Sequence, residues 1–546
     1  MTCATLGAAL ALLVAAPLAA QERPAATPSQ AERARHSGTA PDRDEPGRAD
    51  ATNTQPAGDP RAERARENKL GDSDVATAPI REARVPTRHT ATIGGRSIAY
   101  TATAGTVTIR DDDGKPTASL FYVAYTAGGS GGEPNRPVTF LYNGGPGSSS
   151  VWLHMGSLGP VRVRTDSPQA TAGPPFQLVN NSDSLLDKSD LVFVDAVGAG
   201  FSRPLGDTKL EKLWGTDADI DTFARGIERW LTINDRWNAP KFIFGESYGT
   251  TRSGGLSYRL AQDGVQLNGV VLLSSIMNYG RRAPGLDQDL INYLPSYAAT
   301  AAYHHRIPAP ADLNAFLAQA RAFARGPYAQ ALAQGQELPD AERQAIAQQL
   351  AGFTGLSTRF ILDSDLRVDL SRFRKELLRD QRRTIGRYDS RFTGIDADNA
   401  ADSPESDPSD TGITGAFVGS FHHYLAHDLG FTTNLTYRPT YYSPALKWDF
   451  SHRPPGARGG GAAQALADTA LDLSAAMREN PHLLVYSLNG LYDMATPFFG
   501  TEYDLAHLQI DKALRPNLRF AYYPSGHMVY LNTEALHQMK ADLARF

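Results

Sequence analysis

The chain has 546 residues, 41% of them hydrophobic and 21% charged, with a formal net charge of −5. That length and apolar content suffice for a large buried core, and the slight acidic excess excludes the basic surface that nucleic-acid binding requires. The only cysteine, Cys3, excludes a disulfide framework, so stability has to come from packing.

Residues 1–20 form an apolar, Ala-rich run that ends in small residues before Gln21-Glu-Arg, the pattern of a signal peptide. The run lacks the usual Lys or Arg at its start. Two readings follow: an initiator further upstream, or a segment that stays uncleaved as an anchor. A secreted chain without disulfides suits a bacterial periplasmic or extracellular protein, and stable membrane association is expected only if this segment is retained. Residues 21–84 are rich in Ala, Pro, Arg, Asp and Glu, with almost no aromatics, and are expected to be a disordered linker.

From Thr87 onward Thr, Ile, Val and Tyr alternate, with turn signals at Gly94-Gly95 and Asp113-Gly114; this predicts antiparallel strands and hairpins. Short apolar strands then alternate with helices, as in a mostly parallel sheet covered on both faces. The expected strands are Val138–Tyr142, Leu191–Asp195, Phe242–Phe244, Gly269–Leu273, Leu483–Ser487 and Leu518–Tyr523. Ile220, Phe223, Ile227 and Trp230 recur at helical spacing, and Leu531–Phe546 reads as a closing helix.

The β signal stops near Asn278 and resumes near Asn480. Between them Asp312–Ala324, Asp340–Leu350 and Ser357–Arg383 read as helices, which predicts a helical insertion capping the site. The domains expected are thus core at 85–280, helical cap at 281–430 and core again at 431–546. Asp396–Glu405 is acidic, but Ala401 stands where a calcium loop needs Gly, so a solvated loop is expected. His423 and His427 have i, i+4 spacing without the Glu of H-E-x-x-H, and read as part of a surface or cap helix. No metal and no cofactor are expected.

The chemistry centres on Lys241-Phe-Ile-Phe-Gly-Glu-Ser-Tyr-Gly-Thr250, an apolar strand running into G-x-S-x-G. That pattern predicts a nucleophile elbow presenting Ser247. Upstream, Asn143-Gly-Gly-Pro-Gly-Ser-Ser-Ser150 follows a strand directly, and its glycines let backbone N–H groups converge on an anion, with Tyr248 supplying the second amide. Downstream, His527 lies on a Gly-containing loop after the last strand and is the expected base. Asp493, just past a strand and between serine and histidine, is the expected orienting acid. Asp504 and Asp511 rank below it, and His482, His507 and His537 read as solvated or capping residues.

These blocks resemble the serine carboxypeptidases of the carboxypeptidase Y and cathepsin A group. The matching stretches are Asn143-Gly-Gly-Pro-Gly147, Leu158-Gly-Pro-Val-Arg-Val163, Val194-Asp-Ala-Val-Gly-Ala-Gly-Phe-Ser202, Gly245-Glu-Ser-Tyr-Gly-Thr250, Gly490-Leu-Tyr-Asp493 and Gly526-His527. The resemblance implies an α/β-hydrolase fold: a central, mostly parallel sheet with antiparallel N-terminal strands and a helical cap insertion. It further implies Ser247, His527 and Asp493 as catalytic residues, the Gly145 and Tyr248 amides as oxyanion hole, and Asn143 and Glu246 as ligands of the substrate's terminal carboxylate. A glutamate beside a carboxylate requires a shared proton, so this pair is expected to work best in acid. Three positions depart from the family. Leu141 stands where it usually has Trp, Ser148 where it has Cys, and no second glutamate occurs near Gly156-Ser157.

The expected function is removal of carboxy-terminal residues from peptide substrates through an acyl-enzyme, in a secreted or periplasmic setting and without metal. A serine esterase, amidase or acyltransferase on the same fold is the alternative. A catalytically silent peptide-binding protein is the third.

Overall fold

The computed structural model describes residues 78–128, 133, 135–443, 445–456 and 462–546. The expected leader and the linker as far as residue 77 lie outside them. Residues 80–83, at the end of the segment expected to be linker, are tied to the fold. Thr108 Oγ1 donates to the Ile80 carbonyl at 2.7 Å, the Ala83 amide donates to Thr106 Oγ1 at 2.8 Å, and Glu82 pairs with Arg229 at 2.8 Å.

Among the described residues ten strands form one sheet: β1 (Arg84–Ile93), β2 (Arg96–Arg110), β3 (Pro116–Ala127), β4 (Val138–Tyr142), β5 (Asp190–Val194), β6 (Arg203–Pro204), β7 (Lys241–Glu246), β8 (Gly269–Leu273), β9 (Leu484–Gly490) and β10 (Leu518–Tyr523). Their spatial order is β1-β2-β3-β5-β4-β7-β8-β9-β10, with the short β6 beside β3. The first three pair antiparallel, and β3 joins β5 antiparallel; from β5 to β10 every pairing is parallel. This is the α/β-hydrolase architecture expected. β4, β5 and β8 are buried along their whole length, which is why they read as unbroken apolar runs.

Side-chain alternation divides two cores between the faces of the sheet. Phe140, Tyr142, Val192, Ile243 and Leu272 pack with α1 (Thr216–Ile233), α2 (Tyr248–Gln262) and α3 (Ala470–Glu479). The predicted stripe on α1 is buried here, with Trp230 edge-on to Phe140 at 5.4 Å and Phe223 to Tyr142 at 5.1 Å. Leu141, Phe193, Phe244, Val271 and Leu488 face the other core, closed by Val151–Gly156, Thr414–His427 and α4 (Thr533–Arg545).

Helices at Gln288–Tyr303, Leu313–Phe323 and Asp340–Thr354 build a third core between β8 and β9, together with Leu491, Met494 and Phe498 from the chain after β9. The helix expected over 357–383 is instead two short ones, Thr358–Asp363 and Leu370–Glu376. Positive φ at Asp365 (51°) and Leu366 (62°) ends the first, and the Asp369 carboxylate caps the second by accepting from the Arg372 amide. The acidic stretch from Asp396 is less solvated than expected, because Asp396 forms a buried ion pair with Lys375 at 2.5 Å. His423 and His427 sit exposed on the helix Thr414–His427. Among the described residues no group of three or more His, Cys, Asp or Glu is placed to hold a metal ion, and no helix is long and apolar enough to cross a membrane.

Buried His452 clamps α1 to α3. Its two ring nitrogens meet Asp217 Oδ1 at 2.6 Å and Asp472 Oδ2 at 2.8 Å, so both must donate and the ring is an imidazolium. Burial disfavours that charge, but the two carboxylates outweigh it and lift the pKa to about 9. Burial also raises the Asp472 carboxyl, which takes back part of the gain. The folded pKa lies above the unfolded value near 6.5, so the stabilisation is complete below about pH 6.5 and is lost as pH rises through about 9; it amounts to roughly 1–2 kcal/mol. Urea midpoints measured across this window should fall for the native chain and stay nearly level for His452→Asn. Parallel curves would remove the clamp from the account of stability.

Candidate active site

Strand β7 runs into the elbow at Ser247, whose φ of 61° and ψ of −129° lie outside the regions an L-residue favours. The conformation is held on both sides: the Ser247 amide donates to the Leu273 carbonyl at 3.0 Å, and the Thr250 amide returns to the Ser247 carbonyl at 2.8 Å. Gly245 is required beneath it, since a Cβ there would lie 2.2 Å from the Gly249 carbonyl oxygen.

The loop after β4 presses against the start of α2. A Cβ on Gly144 would lie 2.5 Å from the Tyr248 nitrogen, so the glycine-rich loop and the amide after Ser247 share one small volume. Asn143 anchors that loop: its Oδ1 accepts from the Leu153 amide at 2.9 Å, and its carbonyl accepts from Arg252 at 2.8 Å. The side-chain amide of Asn143 bonds to Glu246. Gly145 and Ser247 line the same pocket.

Asp493 and His527 come from the loops after β9 and β10. His527 Nδ1 donates to Asp493 Oδ2 at 2.8 Å, and both side chains are buried. The other carboxylate oxygen accepts from the Ala495 and Thr496 amides at 2.7 and 2.9 Å, which fixes the orientation of Asp493. Thr496 was not singled out by the sequence, yet its hydroxyl reaches Asp493 Oδ2 at 2.7 Å, His527 Nδ1 at 3.1 Å and the Ser274 carbonyl at 2.8 Å. The Ser274 hydroxyl in turn donates to the His527 carbonyl at 2.6 Å. Ser247 and His527 face the same pocket, though no hydrogen bond joins them among the described residues; such contacts often tighten only with substrate bound.

Glu246, beside Ser247, is 1% exposed, and its Oε2 accepts from the Tyr530 hydroxyl at 2.9 Å. Burial pushes its pKa to about 7 against the opposing pull of His527, Tyr530 and Asn143. The position where the resemblance implies a second glutamate is filled differently. A Cβ on Gly156 would lie 2.6 Å from the Tyr530 ring, so Tyr530 occupies that space. Leu141 is buried in the sheet, and Ser148 accepts from Trp152 Nε1 at 3.1 Å at the pocket wall.

The insertion, expected as a cap over the site, also supplies residues to it. Its segment Arg387–Arg391 threads between the acid and base loops. The Met494 amide donates to the Arg387 carbonyl, the His527 amide to the Tyr388 carbonyl at 2.6 Å, the Ser390 amide to the Tyr492 carbonyl, and Arg391 to the Pro524 carbonyl at 2.8 Å. The Tyr388 ring packs on His527 with centroids 5.2 Å apart. No motif marks this segment. The rejected candidates are elsewhere engaged: buried Asp504 meets Arg281 at 3.1 Å, Asp511 caps a turn, and the exposed His537 ring meets Asp183.

A serine at a strand–helix elbow, with an aspartate-bound histidine at later strand ends of a doubly covered sheet, is the arrangement of the α/β-hydrolase class. Residues 96–279 match the model of the family described as serine carboxypeptidase. The chain is 34% identical over 104 residues to the pheromone-processing carboxypeptidase KEX1 of Saccharomyces cerevisiae, covering 18% of this chain and 13% of the relative. It is 36% identical over 115 residues to the protein of the same name from Verticillium alfalfae, covering 21% and 16%. The matches therefore span under a fifth of these relatives' length. The crystal structure of a prohormone-processing carboxypeptidase, KEX1(delta)P from Saccharomyces cerevisiae, aligns over 82% of this chain and 91% of that one, with 15% identity and a TM-score of 0.47.

If Thr496 holds the Asp493 carboxylate in line with His527, Thr496→Val should slow labelling of Ser247 by a fluorophosphonate about tenfold while the fold is retained. An unchanged labelling rate would assign the threonine to packing alone.

Proposed function

We propose that the protein is a serine carboxypeptidase that removes carboxy-terminal residues from peptides. The observation that carries this reading is Glu246: a buried carboxyl beside the elbow serine, bonded to Asn143 and Tyr530 and raised to about pH 7, is a proton donor in acid and suits a substrate carboxylate. In the proposed reaction Ser247 attacks the last peptide carbonyl while His527 takes its proton, and Asp493 stabilises the resulting imidazolium. The Gly145 and Tyr248 amides receive the oxyanion. His527 then protonates the departing amine, and water, activated by the same histidine, hydrolyses the acyl-Ser247 ester. Asn143 and Glu246 hold the leaving residue's carboxylate. Residues 1–20 support export, and we place the enzyme outside the cytoplasm as a secreted or periplasmic protein.

Replacement of a second glutamate by the Gly156–Tyr530 contact favours one further reading, a serine amidase or esterase with looser demand for a free carboxylate. Matched peptides ending in a free acid or an amide separate the two: strong preference for the acid supports exopeptidase action, and equal turnover supports the broader hydrolase.

Ser247→Ala should lower kcat on a free-acid peptide by about 10⁴-fold or more, with no loss of thermal stability beyond about 1 kcal/mol. Retained turnover would exclude Ser247 as nucleophile.

A second expectation concerns pH. Glu246 is a donor below about pH 7 and an anion above it, so kcat/KM for free acids should fall as pH rises through that value. Glu246→Gln keeps a donor at every pH and should flatten this alkaline limb. Superimposable profiles for the two enzymes would make Glu246 a structural residue of the elbow.

A further inference from the structure

The pocket that holds Glu246 is also lined by two guanidiniums. Arg282, from the chain after β8, and Arg387, from the inserted segment, both line it, together with Tyr279 and Tyr388. Burial raises the pKa of the Tyr279 and Tyr293 hydroxyls, and Arg282, Arg387 and Arg281 all pull it down.

The two arginines differ in how they are satisfied. Arg282 donates to the Ala495 carbonyl at 2.9 Å and has Asp289 at 3.6 Å. Arg387 has no carboxylate within ion-pair distance among the described residues; its guanidinium carbon lies 5.3 Å from the centroid of the Tyr388 ring. The nearest acids are otherwise engaged. Asp407 accepts the Arg387 and Tyr388 backbone amides at 2.9 and 3.3 Å, and Asp410, also at the pocket, accepts from the Thr414 hydroxyl at 3.3 Å. A guanidinium held at a catalytic pocket without a counter-ion is a site for an anion.

We propose that Arg387, seconded by Arg282, is a specificity residue that receives the carboxylate of an acidic side chain on the acyl side of the scissile bond, so that peptides with Glu or Asp as the penultimate residue are the favoured substrates. The assignment to the acyl side rests on the carboxypeptidase reading: with the terminal carboxylate taken by Asn143 and Glu246, Arg387 and Arg282, the latter bonded to the Ala495 carbonyl beside the acid loop, are left for the residue acylating Ser247. A charge-assisted, two-pronged contact of this kind discriminates an acid from its amide by about 10- to 100-fold.

The test uses blocked peptides of one sequence that carry Glu, Gln or Leu at the penultimate position, and a second set with the same changes at the last position. With the native enzyme, kcat/KM should favour penultimate Glu over Gln at least tenfold. Arg387→Met should bring that ratio close to one, and Arg387→Lys should retain part of it. Calorimetric binding of the Glu and Gln peptides to Ser247→Ala, with and without Arg387→Met, reads the same discrimination whether or not the peptide bond is cut. Absence of turnover on every free-acid peptide, with Glu-selective binding intact, would defeat the carboxypeptidase reading and leave the anion site standing. Equal treatment of Glu and Gln, a ratio unmoved by Arg387→Met, or a preference confined to the last residue would overturn the proposal.

Discussion

The site depends on one buried guanidinium. Arg252, five residues past Ser247 on α2 and fully buried, grips Asp219 of α1 through Nε and Nη2 at 2.7 and 3.2 Å, and donates from Nη1 to the Asn143 carbonyl at 2.8 Å. Its guanidinium lies 4.0 Å from the Phe223 ring centroid, and the Tyr248 hydroxyl donates to the same Asp219. A pair of well-packed apolar side chains could stabilise the fold as well as this ion pair does, whereas losing one partner alone costs about 3–5 kcal/mol. What an apolar pair could not do is reach the Asn143 carbonyl. The ion pair therefore sets the spacing between the glycine-rich loop and the amide of Tyr248, a distance on which any oxyanion contact depends.

A second constraint comes from the insertion. Hydrogen bonds from Met494, Ser390 and His527 tie Arg387–Arg391 to both the acid loop and the base loop, and the cap's apolar core runs into Leu491, Met494 and Phe498. The helical segment is thus part of the support for Asp493 and His527 as well as a cover. Substitutions in its core are expected to reach the site through this backbone strap, since packed elements transmit displacement. That physical link ties cap sequence to the geometry of the site, and it explains how residues as distant in sequence as Arg282 and Arg387 come to line one pocket.

Much of the fold was legible because the central strands are buried on both faces. β4 and β8 fall where unbroken apolar runs place them, and Ile220, Phe223, Ile227 and Trp230 form the inner stripe of a helix as their spacing implies. The insertion was less legible. Positive φ at Asp365 and Leu366 breaks a helix without a Gly or Pro to announce it, and Pro295 lies inside a helix that its presence argues against. At the site, the serine, aspartate and histidine could be named because elbow and strand-end positions carry local patterns. Thr496, Tyr530 and Arg387 could not, because their roles come from contacts between loops far apart in the chain.

Glu246 shows how the charges of specificity and chemistry interact. The Gly156–Tyr530 contact leaves it without a second carboxyl to share a proton, so its acidity is set by burial and by the charges at His527 and Asp493. Asp493 raises its pKa and a charged His527 lowers it. In the proposed reaction the histidine becomes charged once Ser247 has given up its proton, at which point Glu246 holds its own proton less firmly. Transfer of the histidine's proton to the departing amine returns His527 to neutral, so Glu246 recovers its hold and stays a donor to the leaving residue's carboxylate.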